Sequence, residues 1–256
     1  FSFALDDASD ERKNDKEIVL VAVRKEGGTL QFASASLRND ADVVLAAVSQ
    51  DGLALEYAGT EPRNSIDVVL TALEKDAQAL EYASKQLQNE PKVILKAVQE
   101  DSDVLEFASE KMKNNKDIIL AAVVQDPKGS IQLASKRLQN DKDIVLAVVQ
   151  ADASALEYVS YNMKNNKDVV LAAVDQDART LKYVSSSLQE DPDVFLAAKR
   201  SALEDNTNLH ALTDGLRGDK DIVLRSVSKY GGSLKYATKE MQNDKDVVLA
   251  AVRRNG

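Results

Sequence analysis

The phrase Asn-Asp-Lys-Asp-Val-Val-Leu-Ala-Ala-Val, at positions 243–252, recurs with small changes about every 25 residues through the whole chain. A unit of this length cannot bury its own apolar face, so its copies must pack on one another. Counted from the first Asn, repeats begin at Asn14, Asn39, Asn64, Asn89, Asn114, Asn140, Asn165, Glu190, Gly218 and Asn243. One extra residue falls around Pro127-Lys128-Gly129, and the irregular repeat 190–217 carries three more near Asp205 to Asn208. The expectation is an all-α protein: an α-solenoid of about ten stacked helix-turn-helix repeats forming a single array over residues 1–256. Because the chain opens and closes in mid-repeat, it reads as a fragment of a longer one, or as a processed chain.

The second repeat position is Asp15, Asp40, Ser65, Glu90, Asn115, Asp141, Asn166, Asp191, Asp219 or Asp244, side chains that accept bonds from free N–H groups at a helix start. Pro91 and Pro192 follow directly, at the first helical position where proline is tolerated. A first helix such as 167–176 is apolar around most of its circumference and is predicted to be buried. A second helix, 178–189, is predicted from Leu181, Val184, Ser185 and Leu188 at i, i+3, i+4, i+7 spacing, half exposed, with Lys182 and Gln189 outward. The recurring Asn would end each second helix in the left-handed conformation, as its replacement by Gly218 suggests.

Composition narrows function. With 44% hydrophobic and 5% aromatic residues, the interior must be built from Ala, Val, Leu and Ile. The absence of Cys excludes disulfides, thiolate metal sites and a thiol nucleophile, and leaves the redox compartment open. A net charge of −9 argues against nucleic acid and anionic lipid as partners, both of which are recognised through Lys and Arg. The longest apolar runs, such as 118–124, are too short for a transmembrane helix. A soluble protein of the cytoplasm or an organelle interior is expected in preference to a secreted one.

The run Asp/Asn-Lys-Asp-Val/Ile-Val-Leu-Ala-Ala-Val, followed by Ala-Leu-Glu/Gln-Tyr/Phe-Ala-Ser and Leu/Met-Gln/Lys-Asn, resembles the repeat family catalogued as domain of unknown function 4116. The resemblance covers nearly the whole chain and is clearest over 14–56 and 140–187, while 190–217 departs from it. It implies a helical repeat and brings no catalytic motif.

The strongest candidate site is an aromatic row. Phe32, Tyr57, Tyr82, Phe107, Tyr158, Tyr183 and Tyr236 share one position of the second helix, with Leu133 in the place of a ring. They would pack between repeats or supply rigid anchors to a protein partner. Phe195 and Lys199, which stand in the irregular repeat where others have Val or Ile, form a second candidate beside the polar insertion Glu204-Asp205-Asn206-Thr207-Asn208. A lengthened helix or a bend explains that insertion more simply.

Asp51, Asp76, Asp101, Asp126, Asp152 and Asp177 could be drawn as a calcium row, but equivalent positions in stacked helices lie roughly 8–10 Å apart, and calcium needs several oxygens within about 2.6 Å. Capping of the second helix is the better reading. His210, the one histidine, offers no cluster for metal and no Ser-His-Asp set, and Gly27-Gly28 and Gly231-Gly232 lack the rest of a nucleotide motif. No catalytic, cofactor or metal residue is assigned. The expected function is noncatalytic: a protein-binding scaffold, or a structural or linker subunit of a large multisubunit complex. The alternative is the regulatory or substrate-recruiting arm of an enzyme whose catalytic domain lies outside this chain.

Overall fold

The computed structural model describes residues 4–205 and 208–255, and every regular element among them is helical. The chain divides into two compact units, Phe1–Ser135 and Lys136–Gly256. The first holds the long helices α1 (Lys16–Lys25), α2 (Ala41–Gln50), α3 (Ile66–Leu73), α4 (Pro91–Glu100) and α5 (Lys116–Val123). The second holds α6 (Lys142–Ala151), α7 (Lys167–Gln176), α8 (Pro192–Glu204), α9 (Lys220–Lys229) and α10 (Lys245–Asn255). Within each unit, each long helix packs on the next, except that α8 lies more loosely on α9.

The long helices start where the polar second position predicts. At Asp40 one carboxylate oxygen accepts from the N–H groups of Asp42 and Val43, both at 3.1 Å, and Asp15, Asn115, Asp141, Asn166, Asp191 and Asp219 cap their helices in the same way. These helices are not buried all round. In α7, Val169, Val170, Ala173 and Val174 are buried on one side, while Leu171 and Ala172 are half exposed on the other. At 3.6 residues per turn the four buried positions form one stripe, which leaves the intervening Leu-Ala pair facing away.

The predicted second helix is two elements. Where 178–189 reads as one helix, the backbone forms a 3-10 segment, Ala178–Tyr183, then turns extended at Val184 and Ser185, and resumes as a single α-turn, Ser186–Gln189. The break recurs because a serine hydroxyl interrupts it. Ser84, Ser109 and Ser160 each cap the following short helix through Oγ, and each donates from Oγ to the Asn that opens its repeat: Ser84 to Asn64 at 2.6 Å, Ser109 to Asn89 at 2.6 Å, Ser160 to Asn140 at 2.7 Å. The serine N–H adds a bond to the preceding chain, as from Ser84 to the Arg63 carbonyl at 2.9 Å. This clamp explains the recurring Asn. The left-handed expectation fails: Asn14 has φ −103° and even Gly218 has φ −94°.

Gly59 stands where other repeats have Ser or Thr. There the Asn39 amide moves into the vacated space and its Oδ1 lies 3.4 Å from the N–H of Glu61, standing in for the missing hydroxyl.

Charge also links neighbouring repeats. Lys16, Lys167 and Lys220, each directly behind a cap, reach two carboxylates of the next repeat: Lys16 to Asp40 and Asp42, both at 2.8 Å, Lys167 to Asp191 and Asp193 at 2.9 and 2.7 Å, and Lys220 to Asp244 and Asp246 at 2.9 and 2.7 Å. Asp40, Asp191 and Asp244 are held below the ordinary carboxylate pKa, chiefly by these lysine hydrogen bonds.

The two irregular spacings are absorbed differently. The extra residue at Pro127-Lys128-Gly129 converts the six-residue 3-10 segment into a seven-residue α-helix, Pro127–Leu133, and the clamp from Ser135 to Asn114 still closes at 2.6 Å. In 190–217 the additional residues lengthen α8 to 13 residues, and Asn206 and Thr207 of the polar insertion lie outside the described residues.

Candidate functional site

Six of the seven rings sit at the ends of the 3-10 segments and Tyr158 one residue past its own, and these segments pack on one another within each unit. In the first unit Phe32, Tyr57, Tyr82 and Phe107 are all half-buried. Burial raises the phenol pKa of Tyr57 and of Tyr82, and the Glu56 carboxylate adds to both shifts. Leu133, in the place of a ring, is likewise half-buried.

In the second unit the Tyr183 hydroxyl donates to Glu157 Oε2, one repeat earlier, at 2.8 Å. The Tyr236 ring meets His210, the residue at the equivalent spacing, with centroids 5.4 Å apart. Lysines cover two of the rings, Lys182 over Tyr183 at 4.7 Å and Lys235 over Tyr236 at 4.8 Å. Each of these contacts links a ring to its own chain. Even so, Tyr158 and Tyr236 remain 40% and 36% exposed.

The candidates in the irregular repeat have intramolecular partners as well. Phe195 is half-buried, with its ring edge 3.6 Å from where a Cβ on Gly215 would stand. Lys199 reaches Asp219 at 2.8 Å and Asp221 at 2.7 Å. Its ammonium pKa is raised by the hydrogen bond to Asp219 first and to Asp221 second. Because Pro192 occupies the usual lysine position in this repeat, Lys199 supplies from two turns further along α8 the link to the next repeat that lysine supplies elsewhere.

The turn aspartates are caps. Asp76, Asp101, Asp126, Asp152 and Asp177 each accept from the N–H two residues on, at 2.8–3.0 Å, and Asp51 does so at 3.1 Å. Gly27 is occupied by packing: its N–H donates to Gln50 Oε1, and a Cβ there would lie 2.5 Å from the Ala47 carbonyl oxygen. That N–H is therefore not presented to a phosphate.

One feature escaped the sequence reading. On the face of the long helices opposite the buried stripe, a leucine recurs once per repeat: Leu20, Leu45, Leu70, Leu95 and Leu120 in the first unit, all half exposed. In the second unit Leu146, Leu171 and Leu224 are half exposed, and Leu196 and Leu249 are 65% and 42% exposed. An exposed acid lies one turn before most of them, as Asp42, Asp67, Asp117, Asp168, Asp193 and Asp246 do. The signal was present as a leucine five residues after every cap. It was hidden because the helix reads as apolar all round, so the buried and exposed apolar positions look alike.

The family model described as Domain of unknown function (DUF4116) matches residues 15–63, 65–113, 91–139, 115–164, 141–189 and 219–256. Among curated proteins and among solved structures, none matches the chain.

Proposed function

Since the chain belongs to the DUF4116 family, whose description carries no activity, we propose a function from its surface: a noncatalytic scaffold whose repeats stack as an α-solenoid and hold a protein partner along the long-helix face. The observation that carries this reading is the half-exposed leucine that recurs once per long helix, with an acid one turn before it in every repeat but that of Lys92. Such a face suits a partner segment that is apolar on one side and bears Lys or Arg beside its apolar residues. The part-exposed rings of Tyr158 and Tyr236 offer a second, narrower set of anchors.

Affinity purification of the full-length tagged protein from its native cells, with lysine crosslinking, tests the reading. Crosslinks through Lys92 and Lys96, which lie on the leucine face of α4, and their loss in a Leu196→Glu/Leu249→Glu variant with an unchanged circular dichroism melt, are the expected results. Crosslinks that map instead to Lys111 or Lys239 on the short helices, and survive in that variant, would refute it. The stacking itself is tested by solution scattering, where a radius of gyration above the roughly 18 Å of a compact domain of this length is expected.

A further inference from the structure

The repeats serve as controls for one another, and on that standard the repeat beginning at Gly218 is unusual in one place. At the position after the exposed leucine, where six repeats carry Ala, it has Arg225. At the next, where all others carry Ala or Val, it has Ser226. At the turn, where eight repeats carry Asp or Glu, it has Tyr230. Each change removes an acid or a small apolar group and adds a hydrogen-bond donor.

All three line one cavity of about 260 Å³, together with Lys229. Ala202, from the last turn of α8, and the buried Ile222 give it an apolar wall. No carboxylate is among the described residues that line it, although the chain as a whole carries −9. Lys229 has no ion-pair partner for its ammonium among the described residues; its carbonyl accepts from Arg254 at 2.9 Å. Gly232 makes room for the phenol: a Cβ there would come within 3.0 Å of the Tyr230 ring. The second glycine of the 231–232 pair thus seats the tyrosine.

We propose that this cavity binds a small organic phosphate, a phosphate ester on a short apolar or aromatic body. A guanidinium and an ammonium supply charge-assisted bonds to the phosphoryl oxygens, and Ser226 and Tyr230 supply hydroxyl donors. Ile222, Ala202 and the Tyr230 ring face the carbon skeleton. The volume lies just below the roughly 300–1,000 Å³ usual for ligand pockets, which limits the ligand to a compact molecule.

Isothermal titration of the whole chain with phenyl phosphate, inorganic phosphate and benzoate tests this. Saturable binding of phenyl phosphate is expected, weaker for inorganic phosphate, which lacks the apolar body, and weaker for benzoate, which has fewer acceptor oxygens. The variants are Arg225→Ala, Ser226→Ala and Tyr230→Asp, each installing a residue that other repeats carry at the same position. Each should keep the circular dichroism melt, and Arg225→Ala and Tyr230→Asp should weaken phenyl phosphate at least tenfold. No saturable heat, or equal binding by wild type and Tyr230→Asp, overturns the proposal. Crosslinks to a protein partner that vanish in Arg225→Ala while phenyl phosphate gives no heat would assign the cavity to that partner's acidic side chain, and also overturn it.

Discussion

Gly59→Ser should stabilise the protein. Gly59 has φ −73° and ψ 179°, a region open to serine, close to the φ −65° and ψ 157° of Ser109 at the equivalent position. The obstacle is the Asn39 amide: a Cβ on Gly59 would meet its Oδ1 at 1.9 Å and its Cγ at 2.3 Å. That amide is the free end of an exposed side chain, and in other repeats the same Asn lies back and accepts from the serine hydroxyl at 2.6–2.7 Å. Replacing glycine restricts the unfolded chain by about 0.4–1 kcal/mol. The restored Ser–Asn bond adds about 0.5–1.5 kcal/mol, and a hydroxyl cap in place of glycine a few tenths. Against this stand only two long contacts of the Asn39 amide, from the Glu61 N–H at 3.4 Å and to the Ala35 carbonyl at 3.5 Å. The net gain is about 1–2 kcal/mol, which for a chain of this size raises the melting temperature by roughly 2–8 °C. Urea unfolding of the wild type, Gly59→Ser, Asn39→Ala and the double variant gives the coupling directly. A lower midpoint for Gly59→Ser, or an equal gain with and without Asn39, would refute the clamp as the reason for the recurring Asn.

Three further outcomes are expected. Gly27→Ala should cost about 1–3 kcal/mol, since its Cβ would lie 2.5 Å from the Ala47 carbonyl oxygen, whereas Gly28→Ala, with nothing within 4 Å, should be neutral or stabilising; denaturant midpoints separate the two. Leu181→Ala, which empties a side chain 1% exposed, should cost about 2–5 kcal/mol in the same assay. The lysine–aspartate links should shape the response to pH. Asp40, Asp191 and Asp244 titrate below their ordinary 3.8, so their contribution is complete above about pH 4 and is lost as pH falls through the lowered values. Lys16, Lys167 and Lys220 titrate above 10.5, so the same links weaken again only beyond that pH. A melting-temperature profile that falls below pH 4 less steeply in Lys16→Met/Lys167→Met/Lys220→Met than in the wild type is the expected signature.

The sequence exposed what depends on local chemistry and concealed what depends on contacts between repeats. Caps such as Asp40 and Asp191, and helix bounds such as Lys167–Gln176, followed from acceptors placed before apolar runs. The break at Val184–Ser185 was masked because a 3-10 segment and a following α-turn present apolar residues at nearly the spacing of one continuous helix. Its sign was the serine itself, a cap residue recurring in mid-stripe. The roles of Asn64, Lys16 and Lys199 are fixed by groups about 20 to 26 residues away, which helical periodicity does not register. Of the candidate site, the residues of the aromatic row were identifiable from their spacing, but their half-buried setting and the leucine face opposite the buried stripe emerged only from packing.

The seven-residue helix Pro127–Leu133 shows how such a chain tolerates changes in length. A 3-10 segment of six residues rises about 2.0 Å per residue and an α-helix of seven about 1.5 Å, so rewinding holds the span to within roughly 1.5 Å despite the added residue. A residue inserted into a long helix has no such outlet, because every later side chain would rotate by about 100° and the buried stripe would point elsewhere. Length variation among related chains should therefore collect at the C-terminal end of a long helix, as in α8, and between the turn aspartate and the clamp serine, where a repeat can gain residues without turning the buried stripe away.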